Sequence, residues 1–120
     1  MTHVFTLDEA QTLLPRVKAI TRPVFELASS LSQELKEMEA QREEERAEEL
    51  RERLQTLVTT WAEAIREMGP EVKGLWRVHF DSGDGCWAWS YPEEGLGYWR
   101  SYDEGLGARI AVEHRPDIRG

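Results

Sequence analysis

Cysteine and long apolar runs are nearly absent from this sequence. Cys86 is the only cysteine, which excludes an internal disulfide and is typical of proteins in a reducing compartment. No apolar run approaches the roughly 18 residues that cross a bilayer, and residues 1–10 lack the basic and apolar segments of a secretory signal. We therefore expect a cytoplasmic protein that does not insert into a membrane.

Basic residues are also scarce. The chain has 15 Lys and Arg against 23 Asp and Glu, which gives a formal net charge of −8. Affinity for nucleic acids comes largely from neutralising phosphates, and an anionic lipid surface repels an acidic protein for the same reason. We expect neither nucleic acid nor a membrane surface as a partner.

Length and the distribution of aromatic residues predict one domain built from two unlike parts. A chain of 120 residues can form one hydrophobic core, and 40% of these residues are apolar. Eight of the eleven aromatic residues follow residue 68. We expect a single domain, 1–120, with a helical part at 1–68, an aromatic-rich β-meander at 69–114 and a loose tail at 115–120.

The helical part begins with a capping signal. Thr6 can cap the free amides of a helix while Glu9, three residues later, bonds back to the amide of Thr6. Pro15 lacks an amide proton, so it predicts that this first helix is short and that a new helix, or a kink, begins there. Pro23 repeats the interruption.

Two apolar stripes with steps of three and four residues follow, and they predict two helix faces. Between them, residues 39–49 (EAQREEERAEE) contain no glycine or proline, so the chain either turns there into a hairpin or continues as one long helix. The charge run at 42–53 is typical of a solvated helix face, with Arg53 near i,i+4 spacing from Glu48 and Glu49. Each stripe is narrow and needs a covering surface, either the second half of the chain or another copy in a homodimer. The stripes are Val17, Ile20, Val24, Leu27, Leu31, Leu35 and Met38, then Ala47, Leu50, Leu54, Leu57, Trp61, Ile65 and Met68.

After Gly69 and Pro70, which end the helix, the apolar period changes to two. Strands are predicted at 75–80, 86–91 and 96–102, separated by turn-forming segments, and residues 110–112 give at most a short fourth strand. The predicted fold is α+β: a long helical hairpin with a short leading helix, packed on a three- to four-stranded antiparallel β-meander. The small residues Cys86, Ala88 and Ser90 would let a helix approach, which would leave the large aromatics on the opposite, exposed face.

Such an aromatic face predicts a binding surface for a planar or cationic ligand or a peptide, although aromatic rings also serve as the core of small sheets. The segment 103–109, DEGLGAR, adds two carboxylates and an arginine that could perform acid–base work or hold an anion. It could equally be a turn closed by its own polar groups. The candidate ligand-binding residues are Trp87, Trp89, Tyr98, Trp99, Asp103, Glu104 and Arg109.

His79 and Cys86 flank the first predicted hairpin loop and could meet on adjacent strands. The pair could serve as a base and a nucleophile, or as two ligands of a metal site that His3 or His114 would complete. The alternative is a small buried thiol with no chemical role.

The sequence resembles a bacterial family of unknown function, the domain-of-unknown-function family 2203, at both ends. Residues 5–10 and the following Leu13-Leu14-Pro15 resemble its opening, and Cys86-Trp87, Gly97-Tyr98-Trp99 and DEGLGAR resemble its C-terminal signature. Members of that family often have histidine where this chain has Arg100, and Arg-x-Pro where Arg109 is followed by Ile110-Ala111. The resemblance supports the fold and implies no activity.

Taken together, these features predict a non-enzymatic interaction module that uses the aromatic sheet face to bind a protein or small-molecule partner. The alternatives are an enzyme or ligand-binding protein with its site around DEGLGAR and, more weakly, a metal-binding protein through His79 and Cys86. No cofactor is predicted.

Overall fold

A computed structural model of the chain describes residues 3–102 and 110–111. Two helices, α1 (Leu7–Ala40) and α2 (Glu44–Glu67), form a hairpin, and five strands follow. The strands form one antiparallel sheet in chain order. The predicted α+β fold is confirmed, with one strand more than expected because β1 was missed. The strands are β1 (Glu71–Gly74), β2 (Arg77–Asp81), β3 (Gly85–Ser90), β4 (Tyr98–Ser101) and β5 (Ile110–Ala111).

The predicted short leading helix is wrong, because α1 runs without a break through Pro15 and Pro23. Each proline removes one backbone hydrogen bond to the residue four positions earlier, Gln11 or Ala19. Both prolines and both of these residues are exposed, so water can satisfy the freed carbonyls. Burial of the opposite helix face then keeps the helix continuous.

The hairpin turn between the helices contains no glycine. Arg42 adopts the left-handed conformation, φ 59°, that glycine usually supplies. The amides of Gln41, Arg42 and Glu43 donate to carbonyls in the last turn of α1, which closes that helix. The chain therefore turns at residues 41–43, within the segment 39–49, and the hairpin alternative is the correct one.

The start of α1 is attached directly to the sheet. Thr6 and Glu9 form the predicted capping box, with both reciprocal hydrogen bonds present. The amide of Phe5 donates to the carbonyl of Asp81 at the end of β2 (2.7 Å), and the rings of Phe5 and Phe80 pack edge to face. The N-terminus of α1 is thus held by the end of β2.

Two local features shape the sheet. Trp76 lies in the tight turn between β1 and β2 with φ 64°, not inside a strand, and Gly69 ends α2 with φ 117° as predicted. Gly85 is required because a side chain there would meet the Trp99 indole ring and the Arg100 carbonyl. This close approach lets Trp99 lie flat against β3.

The large aromatic residues of the sheet face the helices and form the core. The register pairs Val78 with Trp89, Phe80 with Trp87, and Trp87 with Trp99, so these side chains share one face. All five are buried. The expectation that Cys86, Ala88 and Ser90 would admit the helices is therefore wrong, since they lie on the outer face. Burying indole rings removes far more apolar surface from water than burying small side chains.

The sheet covers only the end of the hairpin that is joined to it. The helical hairpin contributes two sets of residues to the main core. One set lies between Leu7 and Val24 in α1, and the other lies between Trp61 and Met68 at the C-terminal end of α2. We call residues 7–25 and 61–67 the proximal hairpin and residues 26–60 the distal hairpin. The radius of gyration is 17.1 Å, whereas a compact chain of this length has about 14 Å, because the distal hairpin extends past the sheet.

Candidate functional site

The outer face of the sheet contains a small cavity that we call the outer cavity. It has a volume of about 100 Å³ and is lined by side chains of β2, β3 and β4. The antiparallel register pairs Arg77 with Ser90, Cys86 with Arg100, and Ala88 with Tyr98. Small residues on the central strand lie between larger ones on the flanking strands, which is why a depression forms there. The principal lining residues are Arg77, His79, Cys86, Ala88, Tyr98 and Arg100.

His79 and Cys86 meet in this cavity as the sequence predicted, with Sγ 3.5 Å from Nδ1. Burial, and after it the charges of Lys73, Arg100 and Arg77, lowers the pKa of His79 to about 4. Burial also raises the pKa of the Cys86 thiol. Both shifts favour the uncharged pair, a thiol beside a neutral imidazole. A protonated thiol is a poor nucleophile, so this environment does not activate Cys86.

The predicted aromatic site is not a surface. Trp87, Trp89 and Trp99 are 2%, 1% and 7% exposed. Two of the indole N–H groups also donate hydrogen bonds within the chain. Trp89 donates to the Glu93 carbonyl, and Trp99 donates to the Ser82 hydroxyl. No partner can stack on them in the folded chain, because these faces already pack in the core. Tyr98 alone of the predicted aromatic set is open, at 44% exposure, and it lies on the outer face.

Three of the predicted ligand-binding residues, Asp103, Glu104 and Arg109, lie outside the described residues, as does His114. His3 packs against Phe5, with ring centroids 4.3 Å apart, and does not join the His79–Cys86 pair. Within residues 3–102 and 110–111, no three His, Cys, Asp or Glu side chains are grouped closely enough to hold a metal ion.

A second depression, which the sequence did not predict, lies between the two helices of the distal hairpin. This helix groove has a volume of about 800 Å³. Its apolar lining includes Leu27, which is 50% exposed, and the half-buried Leu31 and Leu57. The buried distal residues are Ala28, Ala47 and Leu50, whereas the leucines that line the groove stay partly exposed. The principal lining residues are Leu27, Leu31, Glu49, Glu52, Arg53 and Leu57.

Ion pairs hold the two helices together near the turn. Arg46 bonds Glu34 at 2.8 Å and Glu49 at 3.2 Å. Arg51 bonds Glu39 across the hairpin and Glu48 in its own helix. The predicted pairing of Glu48 and Glu49 with Arg53 is thus wrong: both carboxylates pair three residues away, because the arginines there also reach α1.

The sequence contains a signal for the outer cavity but none that decides the helix groove. Alternation alone places Arg77 and His79 opposite Phe80, and Arg100 opposite Trp99, so the outer cavity follows once the aromatic face is assigned to the core. For the helix groove, Leu27 is one position from Ala28, and only one of the two can face the other helix. The sequence does not say which, since that depends on how closely the helices approach.

The fold and these two depressions define a small α+β protein in which a helical hairpin extends beyond a β-meander. The chain belongs to the family described as "Uncharacterized conserved protein (DUF2203)", which matches residues 3–112. The family resemblance seen in the sequence is thereby confirmed. No curated protein and no solved structure matches the chain. Across the part of the chain that the structure describes, no helix is long and apolar enough to cross a membrane.

Proposed function

We propose that the protein is a non-enzymatic interaction module that binds, in the helix groove, an amphipathic helix with a basic polar face. The observation that carries this proposal is the position of Leu27. Half of its surface is exposed, beside Leu31 and Leu57, in the part of the hairpin that the sheet does not cover. An additional helix would remove these leucines from water, as in other helix-in-groove complexes.

Charge indicates which kind of helix would bind. The distal hairpin has ten carboxylates against five basic side chains, and two of those five, Arg46 and Arg51, are already bonded to two glutamates each. Glu49 and Glu52 line the groove together with one basic residue, Arg53, and Glu49 is also paired with Arg46. A helix with lysine or arginine beside its apolar stripe would complement this charge and associate faster.

A second copy of the chain is the other candidate for the groove, and the homodimer predicted from sequence remains a prediction. Two distal hairpins of the same negative charge repel each other, which favours the basic partner. A non-enzymatic role is supported by the neutral state of the Cys86–His79 pair. The single cysteine supports a cytoplasmic location.

The proposal can be tested with two labelled synthetic peptides that share one leucine stripe and differ only in polar residues, lysine in one and glutamate in the other. Fluorescence anisotropy of each peptide is measured against the intact protein. We expect saturable binding of the lysine peptide and much weaker binding of the glutamate peptide. Leu27→Asn should lower the affinity for the lysine peptide by about tenfold, because one apolar contact is lost.

Leu75→Asn is the matched control, because Leu75 is 58% exposed and does not line the helix groove. If Leu27→Asn and Leu75→Asn change the affinity for the lysine peptide to the same extent, the peptide does not bind in the helix groove, and the proposal would be wrong. Sedimentation of the protein alone distinguishes the other occupant. A dimer that Leu27→Asn dissociates and Leu75→Asn preserves would assign the groove to a second copy instead.

A further inference from the structure

The outer cavity differs from the rest of this acidic protein in the charge around it. Arg77 is exposed and Arg100 half-buried, on strands that flank Cys86 and Ala88. Among the described residues neither guanidinium forms an ion pair, in contrast to Arg46 and Arg51 on the hairpin. Two arginines thus line one small cavity, and neither is in an ion pair with a carboxylate of residues 3–102.

One further cation, Lys73, acts on the cavity residue His79, although it forms an ion pair with Glu71 at 3.4 Å. Lys73, Arg100 and Arg77 all act on His79, and together with burial they keep its ring neutral despite the opposing charge of Glu71. If the Cys86 thiol donates to Nδ1 across their 3.5 Å contact, the neutral ring carries its proton on Nε2, where it is a hydrogen-bond donor. Guanidinium groups and an imidazole N–H are all donors, and they suit an oxyanion.

One carboxylate lies at the same cavity. Glu93 is among the lining residues, and its Oε1 accepts from the backbone amide of Ser90 at 2.7 Å. This bond holds the carboxylate against the turn after β3. The negative charge of Glu93 repels an anion in the cavity, so its removal should strengthen anion binding.

The size of the cavity limits the ligand. Its volume of about 100 Å³ corresponds to about three water molecules at their share of liquid volume. A group of the size of phosphate or acetate fits within it, whereas a nucleotide does not. The small side chains of Cys86 and Ala88 supply this space, and the arginines at its sides supply the charge.

We infer that the outer cavity is a binding site for a small free oxyanion of the size of phosphate or acetate, held by the guanidinium groups of Arg77 and Arg100. The site lies on the face of the sheet opposite the helices. It is therefore independent of the helix groove, and either proposal can fail without the other.

Amide NMR spectra of the intact protein, titrated with sodium phosphate or sodium acetate at constant ionic strength, test the inference. We expect saturable shifts at the amides of His79, Cys86 and Ala88. Arg77→Gln and Arg100→Gln should each weaken binding about three- to tenfold, the loss of a solvent-accessible charge-assisted bond. Saturation by only one of the two salts would identify the anion class.

Two further variants make the result decisive. Glu93→Gln keeps an oxygen that can accept from Ser90 but removes the opposing charge, so it should strengthen binding. Arg66→Gln removes an exposed arginine of α2 that does not line the cavity and should change nothing. Shifts that do not saturate, or that Arg66→Gln reduces as much as Arg100→Gln does, would overturn the inference. A well-dispersed spectrum of each variant confirms that it is folded.

Discussion

The two halves of the helical hairpin are made from similar apolar stripes, yet they are stabilised differently. The proximal hairpin packs on the aromatic residues of the sheet. Phe25, its last residue in α1, contacts Trp76 and Tyr91. The distal hairpin has only its two helices, whose buried residues there are Ala28, Ala47 and Leu50, and ion pairs across the turn. The comparison shows that an apolar stripe specifies a helix, whereas a covering layer makes that helix part of a core.

The largest expected effect is at a fully buried residue of the covered half. Trp61 is 1% exposed and packs edge to face on Trp76 at 5.1 Å. Trp61→Ala should lower the free energy of unfolding by about 3–5 kcal/mol. Leu57→Ala, one turn away in the distal hairpin and only half-buried, should lower it by about 1 kcal/mol. Urea denaturation measures both, and equal losses would contradict the proposed division of the hairpin.

Thr21 isolates the polar contribution to the covered half. It is fully buried and accepts a 2.8 Å hydrogen bond from the Trp61 indole N–H. Thr21→Val preserves the shape and leaves that donor without a partner, at a cost of about 1–3 kcal/mol. Thr60→Val, at an exposed position, should change stability by less than about 0.5 kcal/mol. Thermal or urea unfolding compares them, and a neutral Thr21→Val would mean that another group accepts the bond.

Acid should destabilise the protein through His79, which lies in the sheet. Because the pKa of His79 falls from 6.5 to about 4 on folding, the unfolded chain binds this proton at higher pH than the folded one. Its stabilising contribution is therefore complete above pH 6.5 and is lost as the pH falls towards 4. His79→Gln should flatten this part of the profile of unfolding free energy against pH. An unchanged slope would show that other groups cause the acid sensitivity.

The smallest expected effect lies at the hairpin turn. Arg42→Gly relieves a left-handed backbone conformation and should stabilise the protein by up to about 1 kcal/mol. Gln41→Gly is the control, since Gln41 has an ordinary right-handed conformation, and it should destabilise by about 0.5–1 kcal/mol. Thermal unfolding of the two variants gives the comparison. The same sign for both would mean that the φ of Arg42 carries no strain.

Much of the fold could be predicted from local patterns. The Thr6–Glu9 capping box, the helix end at Gly69 and the alternation in β2 and β3 were all readable, because each depends on a few neighbouring residues. The continuity of α1 was not. A proline rule predicts a break at Pro15, and the rule fails when burial of the opposite helix face outweighs one lost hydrogen bond.

The candidate sites divide in the same way. The contact between His79 and Cys86 could be predicted from hairpin geometry alone, and the structure confirms it. The position of the aromatic residues could not be predicted, since alternation defines two faces and does not say which one packs on the helices. Once Trp87 and Trp89 are in the core, the face of the sheet left exposed is the one with Arg77 and Arg100.

The sequence by itself determined that helices come first and strands second, which residues of a helix or strand share a face, and the acidic character of the chain. These properties follow from backbone sterics, spacing and composition. The tertiary structure decided which sheet face is inside, how far the sheet covers the hairpin, and that Leu27 stays exposed while Ala28 is buried. Those outcomes depend on the total area and shape that fit together when all elements pack at once.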